Sequence, residues 1–154
     1  MNMDPYKRML LFRAAHGKSM LSRYKAKLGH LLVVNEFDAS LLSLPETDSL
    51  IDELRKKREV MCERIDFASL AECLGFASTI MSAHSYYLLM DEDWKYCGAY
   101  TAASNTPLRV QFDFDRYCSD EIRLINTELS MQVSIDYEEC RGVGAVECYL
   151  RKYE

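Results

Sequence analysis

The chain has 154 residues, of which 49% are hydrophobic and 28% charged, and its formal net charge at pH 7 is −5. Three prolines and six glycines leave no room for a long disordered linker. No apolar run reaches the roughly 18 residues of a membrane span, and the N-terminal apolar stretches are too short for a signal peptide core. We therefore expect one domain over residues 1–154, located in the cytoplasm and without a membrane partner.

The first predicted element is a basic helix over residues 1–34. Asp4 followed by Pro5 is typical of a helix start. A seam of apolar or small residues follows at alternating spacings of four and three, which is a helical period: Leu10, Ala14, Gly17, Leu21, Tyr24, Leu28 and Leu31. Ala14 and Gly17 narrow the seam, so another helix can approach closely there. The seam is expected to pack on the body of the protein or on a second copy, as a homodimer.

A helical pair is predicted over residues 47–84, after a loop. Thr47 or Ser49 caps its first helix, which runs to about residue 64, and Asp66 caps its second, which runs from 67 to about 84. Residues 70–76 have the small-residue and glycine spacing of a helix-turn-helix start. Residues 78–87 contain no Arg, Lys, Asn or Gln to read bases, so core packing is the preferred interpretation.

From residue 86 onward the hydrophobic period changes to two, which predicts half-buried antiparallel strands. Residues 110–115, 131–137 and 145–150 alternate most clearly, and 86–90 and 95–101 add strands around an acidic turn. Residues 118–129 are ambiguous, since Ser119 is a possible cap for a short helix. The predicted fold class is α+β: three N-terminal helices packed on one face of a C-terminal antiparallel sheet of about four to five strands, over 86–154.

Metal, cofactor and catalytic chemistry are not expected. The six cysteines are scattered without a CxxC pair and are predicted to be reduced thiols, most of them buried. Zinc needs four convergent ligands, usually with one short-spaced pair, and the three histidines stand apart in the sequence. We therefore expect a protein that binds a partner and is not an enzyme.

The N-terminal helix carries the sharpest charge signal. Residues 1–30 contain seven basic residues and one acid, whereas 12 of the 19 basic and 23 of the 24 acidic residues follow them. A basic helix on an acidic body predicts contact with nucleic acid phosphates, in an accessory or regulatory protein. The candidate phosphate contacts are Arg8, Arg13, Lys18, Arg23, Lys25 and Lys27. The alternative interpretation is a solvated helix whose charges balance the body.

The second functional hypothesis is a protein-binding inhibitor, such as an immunity protein or antitoxin. It neutralises a basic partner through an acidic sheet and loop surface, with Trp94 as an exposed aromatic anchor at a loop tip. The candidate partner-binding residues are Asp91, Glu92, Asp93, Trp94, Asp113 and Asp115. The alternative is a solvated sheet face whose charges discourage aggregation.

Overall fold

The computed structural model describes residues 3–32, 40–140 and 143–154. Its helices are α1 (Pro5–Leu31), α2 (Leu44–Arg55), α3 (Leu70–Met81) and α4 (Trp94–Cys97). Its strands are β1 (Glu59–Ile65), β2 (Tyr86–Met90), β3 (Tyr100–Ala102), β4 (Glu121–Asn126), β5 (Met131–Cys140) and β6 (Val143–Tyr153). They form one antiparallel sheet in the order β1-β6-β5-β4-β2-β3. The α+β class is confirmed, with one more helix and one more strand than predicted. No helix in these ranges is long and apolar enough to cross a membrane.

Helix α1 begins where the sequence predicts, and α2 begins earlier. The Asp4 carboxylate accepts a hydrogen bond from the backbone amide of Tyr6, with Pro5 in the first turn. At α2, Ser43 and Glu46 form a reciprocal capping box, in which each side chain accepts from the other's backbone amide. This pair satisfies two free amides at once, so the helix starts at Leu44 and the predicted cap at Thr47 or Ser49 is wrong.

The predicted helical pair over 47–84 is interrupted by a strand. Residues 59–65 form β1, which pairs antiparallel with β6 at the other end of the chain. Ser69, rather than Asp66, caps α3 by accepting from the amide of Glu72. Helix α3 ends at Met81 and β2 follows, so residues 65–82 hold the end of a strand and a single helix, not a helix-turn-helix.

The second half of the chain contains the predicted strands at 86–90, 131–137 and 145–150, with three corrections. The strand predicted at 95–101 is wrong over its first part, where residues 94–97 form α4, and β3 begins only at Tyr100. Residues 110–115 are not a strand, although Phe112 and Phe114 are buried alternately as predicted. They lie in consecutive turns, and their rings pack edge to face, with centroids 4.9 Å apart. Residues 121–126 are the central strand β4, so the possible short helix from Ser119 is wrong.

Helices lie on both faces of the sheet, not on one. On one face, Tyr24 and Leu28 of α1 and Leu74 of α3 share the main core with alternate strand residues such as Leu88 and Val133. On the other face, α2 forms a second, smaller core, in which Leu50 and Leu54 pack with Leu89 and Ile125. Adjacent residues of β2 therefore enter different cores, as the alternation of a strand requires.

The seam of α1 packs on the protein's own body from its middle onward. Gly17, Tyr24, Leu28 and Leu31 are buried, so these residues are not available to a second copy. A Cβ on Gly17 would overlap the carbonyl oxygen of Tyr96 in α4. The predicted close helix approach at this glycine is confirmed, and α4 is the helix that makes it.

Candidate protein-binding surface

Large apolar side chains are exposed on the first turns of α1 and just before them. Phe12 is 67% exposed, Leu11 59%, Met9 47%, Met3 44% and Tyr6 41%. Elsewhere in the described residues, the one large apolar side chain of similar exposure is on β1, at position 60. Concentrated apolar exposure of this kind is typical of an interaction site, whereas scattered apolar residues are ordinary. We call residues 3–14 the α1 tip.

A polar clamp fixes the α1 tip against α2 and α4. The Arg13 guanidinium donates two hydrogen bonds to the Asp48 carboxylate, at 2.8 and 2.9 Å, and a third to the Lys95 carbonyl oxygen, at 2.7 Å. The Tyr6 hydroxyl also donates to Asp48, at 2.7 Å. Burial raises the pKa of Asp48, but the bonds from Arg13 and Tyr6 outweigh it and leave the pKa below its usual value. The exposed apolar residues are therefore held on a preformed support.

One side of the α1 tip forms a groove with the first turn of α2. It encloses about 420 Å³ and is almost entirely apolar. We call it the apolar groove; its lining residues are Met3, Lys7, Leu10, Leu11, Ala14, Leu44 and Pro45. The α2 wall exists because the capping box starts that helix at Leu44, which places Leu44 and Pro45 beside α1.

The opposite side of the α1 tip forms a second groove, of about 560 Å³, which we call the aromatic groove. Its apolar wall consists of Tyr6, Met9, Phe12, Ile51, Trp94 and Tyr96, with charged residues of α1, α2 and α4 at its rim. Trp94 is half-buried and packs on the α2 core, so it is a wall residue rather than an exposed loop tip. Its place in a groove keeps it available to a partner.

The predicted phosphate contacts on α1 fall into two groups. Arg8 and Lys18 are exposed. Arg23 is also exposed, although its guanidinium lies 3.9 Å from an Asp93 oxygen. Arg13 is held in the clamp, and Lys25 is half-buried with an interaction of its own. Lys27 is 2% exposed and ion-paired, so it cannot contact phosphate and that expectation is wrong.

Lys27 is the centre of a buried charge cluster with Asp91 and Asp93. Its ammonium lies 2.6 Å from Asp91 Oδ2 and 3.1 Å from Asp93 Oδ2. The other Asp91 oxygen accepts from the Ser119 hydroxyl and from the amides of residues 120 and 121. Burial raises the pKa of Asp91, but Lys27 and the two amides outweigh it, and the net shift is downward. Asp91 and Asp93 are therefore internal ties and not the exposed partner contacts expected; Glu92 between them is exposed.

Asp115, another of the predicted partner contacts, lines a separate acidic cleft of about 670 Å³ at the ends of β4, β5 and β6. Among the residues that the structure describes, its lining contains six carboxylates and no cation: Asp115, Asp120, Glu121, Asp136, Glu138 and Glu147. Burial, and then neighbouring carboxylates, raise the pKa of Asp120 and Asp136. Asp113 is exposed outside this lining. In the residues described, no three Asp, Glu, His or Cys side chains converge as a metal site requires.

Residues 9–12 carry a local signal for the α1 tip that the spacing of the seam does not include. Residues 9–12 read Met-Leu-Leu-Phe. Four consecutive apolar residues encircle a helix, and a helix with one buried face can cover only part of them. The two grooves could not be foreseen, because their other walls come from α2 and α4.

Comparisons with known proteins return nothing: no protein-family model, no curated protein and no solved structure matches this chain. Function is therefore inferred from the chemistry of the surface.

Proposed function

We propose that this is a binding protein, not an enzyme, and that it recognises another protein through the α1 tip and its two grooves. One observation carries the proposal: five of the six exposed large apolar side chains in the described ranges lie on residues 3–12. Burying such a cluster against a partner removes apolar surface from water, which is the main favourable term in protein association.

The support beneath the surface favours binding as well. The clamp from Arg13 and Tyr6 to Asp48 holds the α1 tip in place before a partner arrives, which lowers the ordering cost of association. Tyr and Trp are enriched among residues that dominate binding energy, and Tyr6 and Trp94 line the aromatic groove beside Phe12. A shaped surface with aromatic walls is what a protein partner requires.

Nucleic acid binding through α1 becomes the weaker hypothesis. Neutralising phosphates takes several free cations on one surface, whereas Lys27 is buried and Arg13 already pairs with Asp48. Of the predicted phosphate contacts, Arg8 and Lys18 are exposed and form no ion pair with an Asp among the described residues. We expect the wild type to bind labelled duplex or single-stranded nucleic acid only weakly. The double variant Arg8→Glu/Lys18→Glu should then show nearly the same affinity and the same dependence of affinity on salt.

Quantitative affinity capture from an extract of the source cells tests the proposal. The wild type is compared with Leu11→Glu in the apolar groove, Phe12→Glu in the aromatic groove and Val60→Glu on β1. Val60 is 49% exposed and lies outside the α1 tip, so it is a matched control. Proteins captured by the wild type and by Val60→Glu should be lost from Leu11→Glu or Phe12→Glu. Identical capture by all four proteins would overturn the proposal.

A further inference from the structure

We propose that the apolar groove binds an amphipathic helix of an acidic partner protein, with its apolar face in the groove and its carboxylates over Lys7 and Lys18. This inference rests on the proposed function and adds the chemistry of the occupant. Three features of the groove carry it: its linear shape, its lack of backbone hydrogen-bonding groups and the charge on its flank.

The groove is a straight strip along one helix. Its α1 residues fall at positions 7, 10, 11 and 14, which follow a single face of the helix, and Met3 just before the helix extends the lining. The helical part of this strip, from Lys7 to Ala14, is about 10 Å long at about 1.5 Å per residue. Ala14 is small, so a second helix can approach closely at that end. About two turns of a partner helix cover this length.

The lining favours a helix over an extended segment. The backbone amides of Leu10, Leu11 and Ala14 are bonded within α1, and the amide of Glu46 in α2 donates to the Ser43 hydroxyl. An extended peptide gains its affinity from backbone hydrogen bonds, and the groove has almost no polar surface for them. A helix satisfies its own backbone and offers apolar side chains at spacings of three and four, which this strip can accept.

The flank of the groove selects an acidic occupant. Lys7 lines the groove, and Lys18 lies eleven residues on, close to three full turns, so both are on the same side of α1. Both are exposed and have no ion pair among the described residues. The nearby acids, Asp4 and Glu46, are occupied as helix caps. A second copy of α1 bound in this groove would bring its own lysines close to Lys7 and Lys18, which repel them. The carboxylates of an acidic partner would instead form favourable charge pairs with both lysines.

Two synthetic helical peptides test the inference. They share one apolar stripe at spacings of three and four, and their flanking positions are all Glu in one and all Lys in the other. Fluorescence polarisation with the full-length protein should give at least about tenfold tighter binding of the Glu peptide, with the difference reduced by salt. Equal affinity for both peptides, or tighter binding of the Lys peptide, would overturn the inference.

Protein variants test where the peptides bind and which residues cause the preference for Glu over Lys. Lys7→Glu/Lys18→Glu should reverse the preference between the peptides, while the charge-matched Lys57→Glu/Lys152→Glu, at exposed sites away from the groove, should keep it. Ala14→Arg fills the groove and should weaken both peptides, whereas Val60→Glu, at the exposed site on β1, should not. Circular dichroism of each variant establishes that it folds. Binding that is unchanged by Ala14→Arg would place the peptide elsewhere and contradict the inference.

A second copy of the chain or a membrane surface could also cover the apolar groove, and separate experiments distinguish them. Light scattering across protein concentrations should show a monomer, and a dimer dissociated by Leu11→Glu would assign the groove to a second copy. Phosphatidylserine vesicles should not bind, and binding lost in Leu11→Glu would assign it to a membrane surface. If neither peptide binds but capture still depends on Leu11 or Phe12, the helix inference fails and the proposed function stands. If capture does not depend on them either, both fail.

Discussion

The ammonium of Lys27 lies 2.6 Å from Asp91 Oδ2, inside the protein, and joins α1 to the turn after β2. Asp91 in turn accepts from the amides of residues 120 and 121, at the start of β4. One lysine that the sequence placed among phosphate contacts therefore connects three separate parts of the chain. The buried C-terminal half of α1, which this lysine ties to the sheet, is the base from which the exposed α1 tip extends.

Removing this lysine should destabilise the fold strongly. Lys27→Met leaves Asp91 and Asp93 buried without their cation, and breaking a buried pair in this way costs about 3–5 kcal/mol. Lys18→Met, at an exposed site on the same helix, should change stability by less than about 0.5 kcal/mol. Urea unfolding monitored by circular dichroism measures both. Equal stability of the two variants would contradict the structural role of Lys27.

The acidic cleft predicts the direction of a pH effect. Burial and Glu147 raise the pKa of Asp136, against smaller opposing effects of Arg151 and Arg123. A raised folded pKa means that the stability contributed by this group is complete below its unfolded pKa, near 4, and is lost as pH rises through the folded value. Asp136→Asn should therefore be more stable than the wild type at neutral pH, and the difference should vanish below about pH 4. Urea unfolding over a pH series measures it, and a less stable Asp136→Asn at pH 7 would refute the expected sign.

Two glycines in helices should respond oppositely to alanine. Gly17→Ala drives a Cβ into the Tyr96 carbonyl oxygen, so α1 and α4 must separate, at a cost of about 1–3 kcal/mol. Gly75→Ala meets only a Val110 methyl at 3.8 Å, an ordinary contact. It should stabilise α3 by about 0.5–1 kcal/mol through helix propensity. Thermal unfolding of the pair is the measurement, and stabilisation by both substitutions would show that α4 does not press on Gly17.

The clamp on the α1 tip should control local motion. Asp48→Ala removes the acceptor shared by Arg13 and Tyr6, so the backbone amides of the first turns of α1 should exchange hydrogen faster. The amides near residue 28, in the buried half of the helix, should keep their protection. Hydrogen exchange with mass spectrometry resolves the two regions. Uniform exchange along α1 in both proteins would mean that the clamp does not hold the α1 tip.

Local sequence patterns correctly predicted the helices and strands whose burial in the fold follows the hydrophobic period of their own sequence. The helix cap at Asp4 and the alternation of Val133 and Ile135 are visible in a few consecutive residues, and both give the correct structure. Residues 110–115 alternate for another reason, because Phe112 and Phe114 fill the core from successive turns. Strand β1 has little alternation, since most of its side chains are exposed, and its pairing partner lies at the far end of the chain.

The candidate site was harder to predict because it depends on contacts between distant residues. Lys27 is separated by 64 positions from Asp91, and nothing in the local sequence distinguishes it from the exposed Lys18. The start of α2 was available from sequence, since Ser43 and Glu46 have the spacing of a capping box and Pro45 lies in the first turn. With that start, Leu44 and Pro45 could have been placed on a helix, but not beside α1.

Site-specific photo-crosslinking in the source cells tests the central claim most directly. A photoreactive phenylalanine analogue replaces Phe12 in one protein and Val60 in the other. We predict a discrete adduct with a different protein from position 12, which Leu11→Glu or Ala14→Arg weakens if that partner also occupies the apolar groove, and no such adduct from position 60. The absence of a protein adduct at position 12, or the same adducts from both positions, would contradict a protein-binding role for the α1 tip.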